Sequence, residues 1–81
     1  MAEGRTSSIE HRTMGDLIRG YRVAKRLRQE DAAFEADISV HEWSNLENDH
    51  VDDPRLSTLQ RVASTLGVDL GALIPADKYS V

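Results

Sequence analysis

Apolar residues recur at steps of three and four in the first and last thirds of the chain, which is the spacing of one face of an α-helix. The first series predicts a helix over residues 13–25, and its members are Met14, Leu17, Ile18, Tyr21 and Ala24. The second series predicts a helix that ends at Gly67, and its members are Leu56, Leu59, Val62, Ala63 and Leu66. Because no stretch alternates between apolar and polar residues as a half-buried strand would, the pattern predicts an all-α fold.

Two shorter helices are predicted between these two from their end signals. The first covers residues 29–36 and opens with acidic residues, which suit the N-terminus of a helix. Asp37 follows it, and aspartate tolerates the left-handed conformation of a tight turn. Ser39 then supplies an N-cap, and Glu42 three residues later completes a capping box. A helix is therefore expected over residues 40–48.

The remaining residues complete the predicted domain and its tails. Asp69 is expected to cap a short fifth helix, which Pro75 stops. Residues 13–75 are therefore predicted to form one domain, since a chain of 81 residues has room for no second one. Residues 1–12 are expected to be a flexible polar tail, and residues 76–81 a C-terminal tail.

The net charge of −4 is distributed unevenly along the chain. From Arg12 to Arg28 six basic residues stand against Asp16 alone, whereas eleven acids and three bases follow from Gln29 onward. A protein that is acidic overall can still present a basic surface to phosphate. Arg19 and Arg28 are the residues that we expect to contact phosphate.

Several classes of function lack the residues that they need. The chain has no cysteine, which excludes disulfides, thiolate zinc sites and cysteine nucleophiles. His11, His41 and His50 fit no metal-ligand spacing, and no serine stands in a nucleophile elbow. We therefore expect no enzyme, no metal and no cofactor. Residues 1–13 contain no apolar run typical of a signal peptide or membrane span, so a cytoplasmic location without membrane contact is expected.

The middle of the chain meets the physical requirements of a helix-turn-helix. Such a motif needs a small residue where its two helices touch, a turn-tolerant residue between them, and apolar residues that hold both against the core. Ala33 is the small residue, and Asp37 occupies the turn. The apolar positions are Ala32, Ala36, Ile38, Trp43 and Leu46.

Together with the flanking helices, this arrangement resembles the phage-repressor family of helix-turn-helix proteins (Cro-like, Xre-type). The resemblance extends from Gly15 to Ile74 and rests on Ile18, Arg19, Arg22, Leu27, Gln29, Glu30, Ala33, Ile38, Ser39, Ser44, Leu46, Glu47 and Asn48, and on the segment 53–74. It implies an all-α, compact five-helix, lambda-repressor-like DNA-binding domain. In such a domain the helix over residues 40–48 enters the major groove of double-stranded DNA.

The resemblance also implies roles for individual residues. The expected DNA contacts are Arg19, Arg28, Gln29, Ser39, Val40, His41, Ser44 and Asn45. Gln29 matches the family's anchor to phosphate and base, Asn45 could bond adenine through both ends of its amide, and Val40 could touch a thymine methyl group. Arg22 and Glu47 match the family's buried ion pair, which positions the recognition helix. The expected dimer interface comprises Leu66, Val68, Leu70, Leu73 and Ile74.

The chain departs from the family pattern in three respects. Glycine is usual in the family at three positions that are here Arg26, Asp37 and Asp49. Trp43 replaces a smaller aliphatic residue, and we interpret the small Ala32 and Ala36 as the compensation in volume. The loop over residues 49–53 is acidic where DNA-binding relatives are usually basic, and this charge should repel a phosphate backbone.

Two functions are consistent with these features. The first is a sequence-specific transcriptional regulator that binds a palindromic operator as a homodimer. The second is a protein-interaction module that kept the fold and binds a basic partner, such as another regulator, a toxin or RNA polymerase. The acidic loop, the negative net charge and an outward-facing Phe34 favour this second function.

Overall fold

The computed structural model describes residues 12–75, which form four α-helices and one turn of 3-10 helix. These elements are α1 (Met14–Ala24), α2 (Gln29–Ala36), α3 (Val40–Glu47), α4 (Leu56–Leu66) and the 3-10 turn (Leu70–Leu73). The prediction of an all-helical fold is confirmed. Within residues 12–75 no helix is long and apolar enough to cross a membrane. The tails predicted for residues 1–12 and 76–81 lie outside the described residues, apart from residue 12.

The predicted fifth helix is wrong, because Leu70–Leu73 forms a single 3-10 turn. The side chain of Asp69 makes no capping hydrogen bond at its start, and Pro75 follows too soon for an α-helix to continue. A segment of four residues closes i→i+3 hydrogen bonds more readily than the wider α-helical ring. Leu73 is nevertheless fully buried, so the turn serves to close the core.

Two kinds of N-terminus alternate along the chain. Thr13 and Asp16 form a capping box at the start of α1. Ser39 and Glu42 form the predicted capping box at the start of α3, with 3.0 Å between the Ser39 hydroxyl and the Glu42 amide nitrogen. Helices α2 and α4 instead begin after arginines, and no side chain caps either helix. Their first backbone N–H groups are therefore available to an anion.

Each α-helix is followed by a residue in the left-handed conformation. Arg26, Asp37 and Asp49 have φ values of 60°, 61° and 58°, and Gly67 has a φ of 72°. The first three are the positions at which the resemblance led us to expect glycine, and here other side chains adopt the left-handed conformation. A residue with a Cβ in this region costs about 1 kcal/mol relative to glycine.

The core lies where α2 packs against both α3 and α4 while α1 packs against α3. Its fully buried members include Ile18, Trp43 and Val62. Three alanines of α2 lie in the same cluster, which is consistent with the predicted exchange of volume in favour of the indole. Ala24 and Leu56, which the apolar pattern placed on the inner faces, are exposed. Both stand at helix ends, beyond the point at which the helix contacts the core.

Candidate nucleic-acid interface

Helix α3 turns one face to the core and the opposite face to solvent. Trp43, Leu46 and Glu47 are buried. At about 100° per residue, the centre of the opposite face falls on His41, Asn45 and Asn48. His41 and Asn48 are exposed and Asn45 is half-buried, so these residues form the outward face of α3.

Glu47 holds this helix from behind as the hub of a buried hydrogen-bond cluster. Its carboxylate accepts five hydrogen bonds from four side chains on three helices. Arg22 of α1 donates from Nε to Oε2 at 2.5 Å and from Nη2 to Oε1 at 3.1 Å. Gln29 of α2 donates to Oε1 at 3.0 Å, and Trp43 donates from its indole nitrogen to Oε2 at 2.6 Å. Arg19 completes the set at 3.3 Å from Oε1.

The hydrogen bonds keep this buried carboxylate charged. Burial alone would raise the pKa of Glu47, because it penalises the ionised form. Hydrogen bonds from Arg22, Gln29 and Trp43, and the charge of Arg22, outweigh burial and lower the pKa of Glu47 to about 2. No buried side-chain nitrogen or oxygen within residues 12–75 lacks a partner. The hub therefore fixes α3 against α1 and α2 at neutral pH.

A close backbone approach fixes the end of α3 against the start of α1. A Cβ atom on Gly15 would lie 2.7 Å from the carbonyl carbon of Glu47 and 2.8 Å from the carbonyl oxygen of Leu46. Asp49 joins the same contact, since its carboxylate accepts hydrogen bonds from the Gly15 amide at 3.0 Å and the Thr13 hydroxyl at 2.6 Å. Only glycine allows the two helices to approach this closely.

The position of Asp49 changes the interpretation of the acidic loop. Because the Asp49 carboxylate caps the N-terminus of α1, its charge faces that helix end and is offset by it. Asp52 and Asp53 remain exposed. The repulsion of phosphate expected from residues 49–53 is thus reduced to these two carboxylates.

The predicted DNA-contacting residues occupy different environments. Val40 and His41 are exposed at the start of α3, and Ser44 and Asn45 are half-buried along it. The Ser39 hydroxyl oxygen accepts from the Glu42 amide as the N-cap of α3, which fixes this side chain at the helix start.

The polar residues behind α3 are engaged within the protein. Gln29, predicted as an anchor, has its amide nitrogen on Glu47. Arg19 is held by Glu47 and by Asn48, although about half of its side chain is exposed. Among the predicted DNA contacts, Val40 and His41 are thus open to solvent, whereas hydrogen bonds to Glu47 orient Gln29 and Arg19.

Arginines stand at the two uncapped N-termini on either side of α3. Arg28 precedes α2 with 74% of its side chain exposed, and it pairs with Asp31 at 3.0 Å. The hydrogen bond and charge of Asp31 raise the pKa of Arg28. Arg55 precedes α4 and lines, together with Asn45, a groove of about 500 Å³. Along the chain α3 is therefore flanked by two helix starts that each carry an arginine, and of these Arg55 lines the same groove as Asn45.

Sequence reasoning missed two residues of this surface. Asn48 stands seven residues after His41 and three after Asn45, a spacing that places all three on one helix face. Arg55 directly precedes the first residue of the apolar pattern of α4. Both signals were present in the sequence, but each requires the helix boundaries to be known.

The expected dimer interface needs a correction. Leu66 and Leu73 are 3% and 0% exposed, because both pack into the core of the protomer, and they have no surface to offer to a partner. Val68, Leu70 and Ile74 are half-buried at the same end of the molecule.

Among residues 12–75 no group of three acidic or histidine side chains is placed to hold a metal ion.

Two short helices, α2 and α3, are joined by residues 37–39 and packed through a buried Ala33, which defines a helix-turn-helix. Comparison with known families agrees: the profile of the helix-turn-helix domain family matches residues 13–76, and the chain belongs to this family. Its fold is of the phage-repressor type. The solution structure of the DNA-binding domain of the P22 C2 repressor superposes with a TM-score of 0.74, at 21% identity over 86% of this chain and 91% of that domain. No curated protein sequence matches the chain significantly.

Proposed function

We propose that this protein is a sequence-specific DNA-binding regulator that inserts α3 into the major groove. The observation that supports the proposal is that α3 is held on its inner side and open on its outer side. Five hydrogen bonds to Glu47 fix its inner side, whereas the side chains of His41 and Asn45 form no hydrogen bond within residues 12–75. A rigid helix that presents free polar groups matches the needs of base recognition. The P22 C2 repressor domain, whose fold is similar, is itself named as a DNA-binding domain.

Phosphate contacts are proposed at the two open helix starts. The backbone N–H groups at the beginning of α2 and α4 are the proposed anion sites. Arg55 adds positive charge at α4, whereas Arg28 at α2 would exchange its pairing with Glu30 and Asp31 for phosphate. A protein that neutralises phosphates releases counterions, so its affinity falls steeply with salt. Within the acidic loop, Asp49 accepts hydrogen bonds from Thr13 and Gly15, which leaves Asp52 and Asp53 as the loop carboxylates that oppose phosphate.

We further propose that the protein binds a palindromic site as a homodimer. The half-buried Val68, Leu70 and Ile74 supply apolar surface beside the 3-10 turn. Two copies joined there would present their recognition helices to sites one DNA turn apart, about 34 Å. The dimer is a separate proposal, which sedimentation at micromolar concentration tests directly. A protein that remains monomeric in the presence and absence of its DNA site would overturn it.

Selection from random duplex DNA tests the DNA-binding proposal. The purified protein is mixed with the library, enriched sequences are read, and the winning duplex is titrated at several salt concentrations. We expect the selected DNA sequence to be two-fold symmetric. The logarithm of the association constant should fall linearly with the logarithm of the salt concentration. Failure to enrich any sequence at low salt would refute the proposal.

Two substitutions separate base reading from phosphate binding. Asn45→Ala should relax the preference at one base pair, at a cost of about 1–3 kcal/mol. Arg28→Ala should weaken all sequences alike and reduce the salt slope by about one. Lys25→Ala is the charge-matched control, because the Lys25 ammonium lies beside Gly67 at the far end of α4. Identical effects of Asn45→Ala and Arg28→Ala on every sequence would show that α3 does not read bases.

One observation favours a second candidate function. Phe34 is 85% exposed on α2, one helical turn after the acidic Glu30 and Asp31. An aromatic ring beside carboxylates suits a basic protein partner with an apolar pocket. A pull-down with the purified protein should then recover a stoichiometric basic protein that Phe34→Ala loses. Recovery of nucleic acid alone would rule against this function.

A further inference from the structure

A directed chain of hydrogen bonds runs along one side of α3. Nη2 of Arg19 donates to Oδ1 of Asn48 at 3.1 Å, and Nδ2 of Asn48 donates to Oγ of Ser44 at 3.3 Å. A guanidinium can only donate, so Asn48 must turn its carbonyl oxygen toward Arg19 and its amino group away. The direction of the chain is therefore set by Arg19.

The first member of this chain is itself fixed. Nε of Arg19 donates to the buried Oε1 of Glu47 at 3.3 Å, which holds the guanidinium in place. The Asn48 amide is consequently oriented by the same hub that holds α3. An amide whose orientation is fixed holds its remaining N–H in one place, whereas a free amide can rotate and exchange its N–H and carbonyl groups.

The chain leaves hydrogen-bond donors as its outward groups. The Ser44 oxygen accepts a hydrogen bond from Asn48, and its hydroxyl hydrogen has no acceptor within residues 12–75. Asn48 is exposed and keeps a second N–H hydrogen beyond the one given to Ser44. Two donors thus lie one helical turn apart, one on α3 and one on the residue that caps its C-terminus.

We propose that Ser44 and Asn48 form a donor pair that selects guanine, with Arg19 as the positioning residue. Guanine is the base whose major-groove edge offers two acceptors, N7 and O6, and no donor. This inference rests on the proposed function, since it assumes that α3 enters the major groove. It adds the base that this end of α3 selects and the cause of the selection.

Reversing the chain supplies the test. In Asn48→Asp both side-chain oxygens accept, so Arg19 keeps its partner and the Ser44 hydroxyl turns to donate inward to the second oxygen of the introduced carboxylate. The outward groups then become acceptors, which suit the amino group of cytosine. Selection from random duplex DNA is run on the wild-type protein, Asn48→Asp and Ser44→Ala. Ser64→Ala, which changes an exposed serine on α4, is the matched control.

The expected result is a change in the base preferred at one position of the selected DNA sequence. The wild-type protein and Ser64→Ala should prefer guanine there by about tenfold. Ser44→Ala should lose most of that preference, and Asn48→Asp should move it to cytosine while weakening all sequences by charge repulsion. If both variants bind all DNA sequences equally more weakly and keep the same base preferences, the two donors contact phosphate. That result would overturn this inference but not the proposed function. A wild-type protein that enriches no sequence would overturn the proposed function and this inference together.

Discussion

Replacing the buried carboxylate of Glu47 with an amide tests whether this group holds the helix-turn-helix together. In Glu47→Gln the cluster loses its charge, and Arg22, which is only 15% exposed, loses its counter-ion. The introduced NH2 group also replaces one accepting oxygen and faces N–H donors. The pKa of Glu47 falls from the ordinary value of 4.5 to about 2. That shift corresponds to about 3 kcal/mol of folding free energy. The figure agrees with the lower end of the range for breaking buried ion pairs.

The loss should depend on pH in a defined way. A carboxylate whose pKa is lower in the folded state stabilises the fold above its unfolded pKa, and this stability disappears as pH falls toward the folded pKa. The pH-dependent part of the advantage of the wild-type protein over Glu47→Gln should be about 3 kcal/mol at pH 7 and about 1 kcal/mol at pH 3. The window of pH 4.5 to 2 follows from the two pKa values.

Urea unfolding of both proteins between pH 7 and pH 3 measures this difference. Subtracting the two curves removes the titration of the carboxylates that both proteins share. Glu35→Gln serves as the control, because Glu35 is exposed on α2 and forms no ion pair within residues 12–75. It should change stability by no more than about 0.5 kcal/mol at any pH. A constant difference across the range, or one below about 1 kcal/mol at pH 7, would show that the Glu47 charge does not carry this stability.

Further predictions concern the backbone contacts that fix α3, and urea unfolding measures each of them. Gly15→Ala should cost more than about 2 kcal/mol, because its Cβ would overlap the carbonyls at the end of α3, whereas Gly20→Ala should stabilise by about 0.5–1 kcal/mol. Equal effects at the two glycines would contradict the close approach. Asp37→Gly should stabilise by about 0.5–1 kcal/mol by relieving a left-handed turn, whereas Asp49→Gly should destabilise despite the same backbone geometry. A gain at both positions would mean that the hydrogen bonds of Asp49 contribute little.

Local signals in the sequence were sufficient to place the four α-helices. The Ser39 and Glu42 capping box marked the start of α3, and Asp37 marked the turn before it. In each of these signals the interacting residues stand within a few positions of one another, so both partners can be recognised directly in the sequence. The same local reasoning failed after Asp69, where the segment is too short for propensity to decide between an α-helix and a 3-10 turn.

The long-range part of the site could not be derived from periodicity. The family resemblance suggested that Arg22 meets Glu47, but not that Gln29 and Trp43 donate to the same carboxylate. Asp49 shows the reason most clearly, because its partner Gly15 lies 34 residues away in sequence. Pairs of this kind depend on how helices cross, which apolar spacing does not specify.

Because hydrogen bonds hold α3 only on its inner side, the residues on its outer side can change during evolution without loss of stability. His41 and Asn45 point away from the hub and make no side-chain hydrogen bond within residues 12–75, so substitutions there should leave the melting temperature almost unchanged. Asn48 is different, because its amide is linked to Arg19 and Ser44. After gene duplication the first two positions can therefore vary independently, whereas a change at Asn48 also alters the groups that Arg19 and Ser44 present.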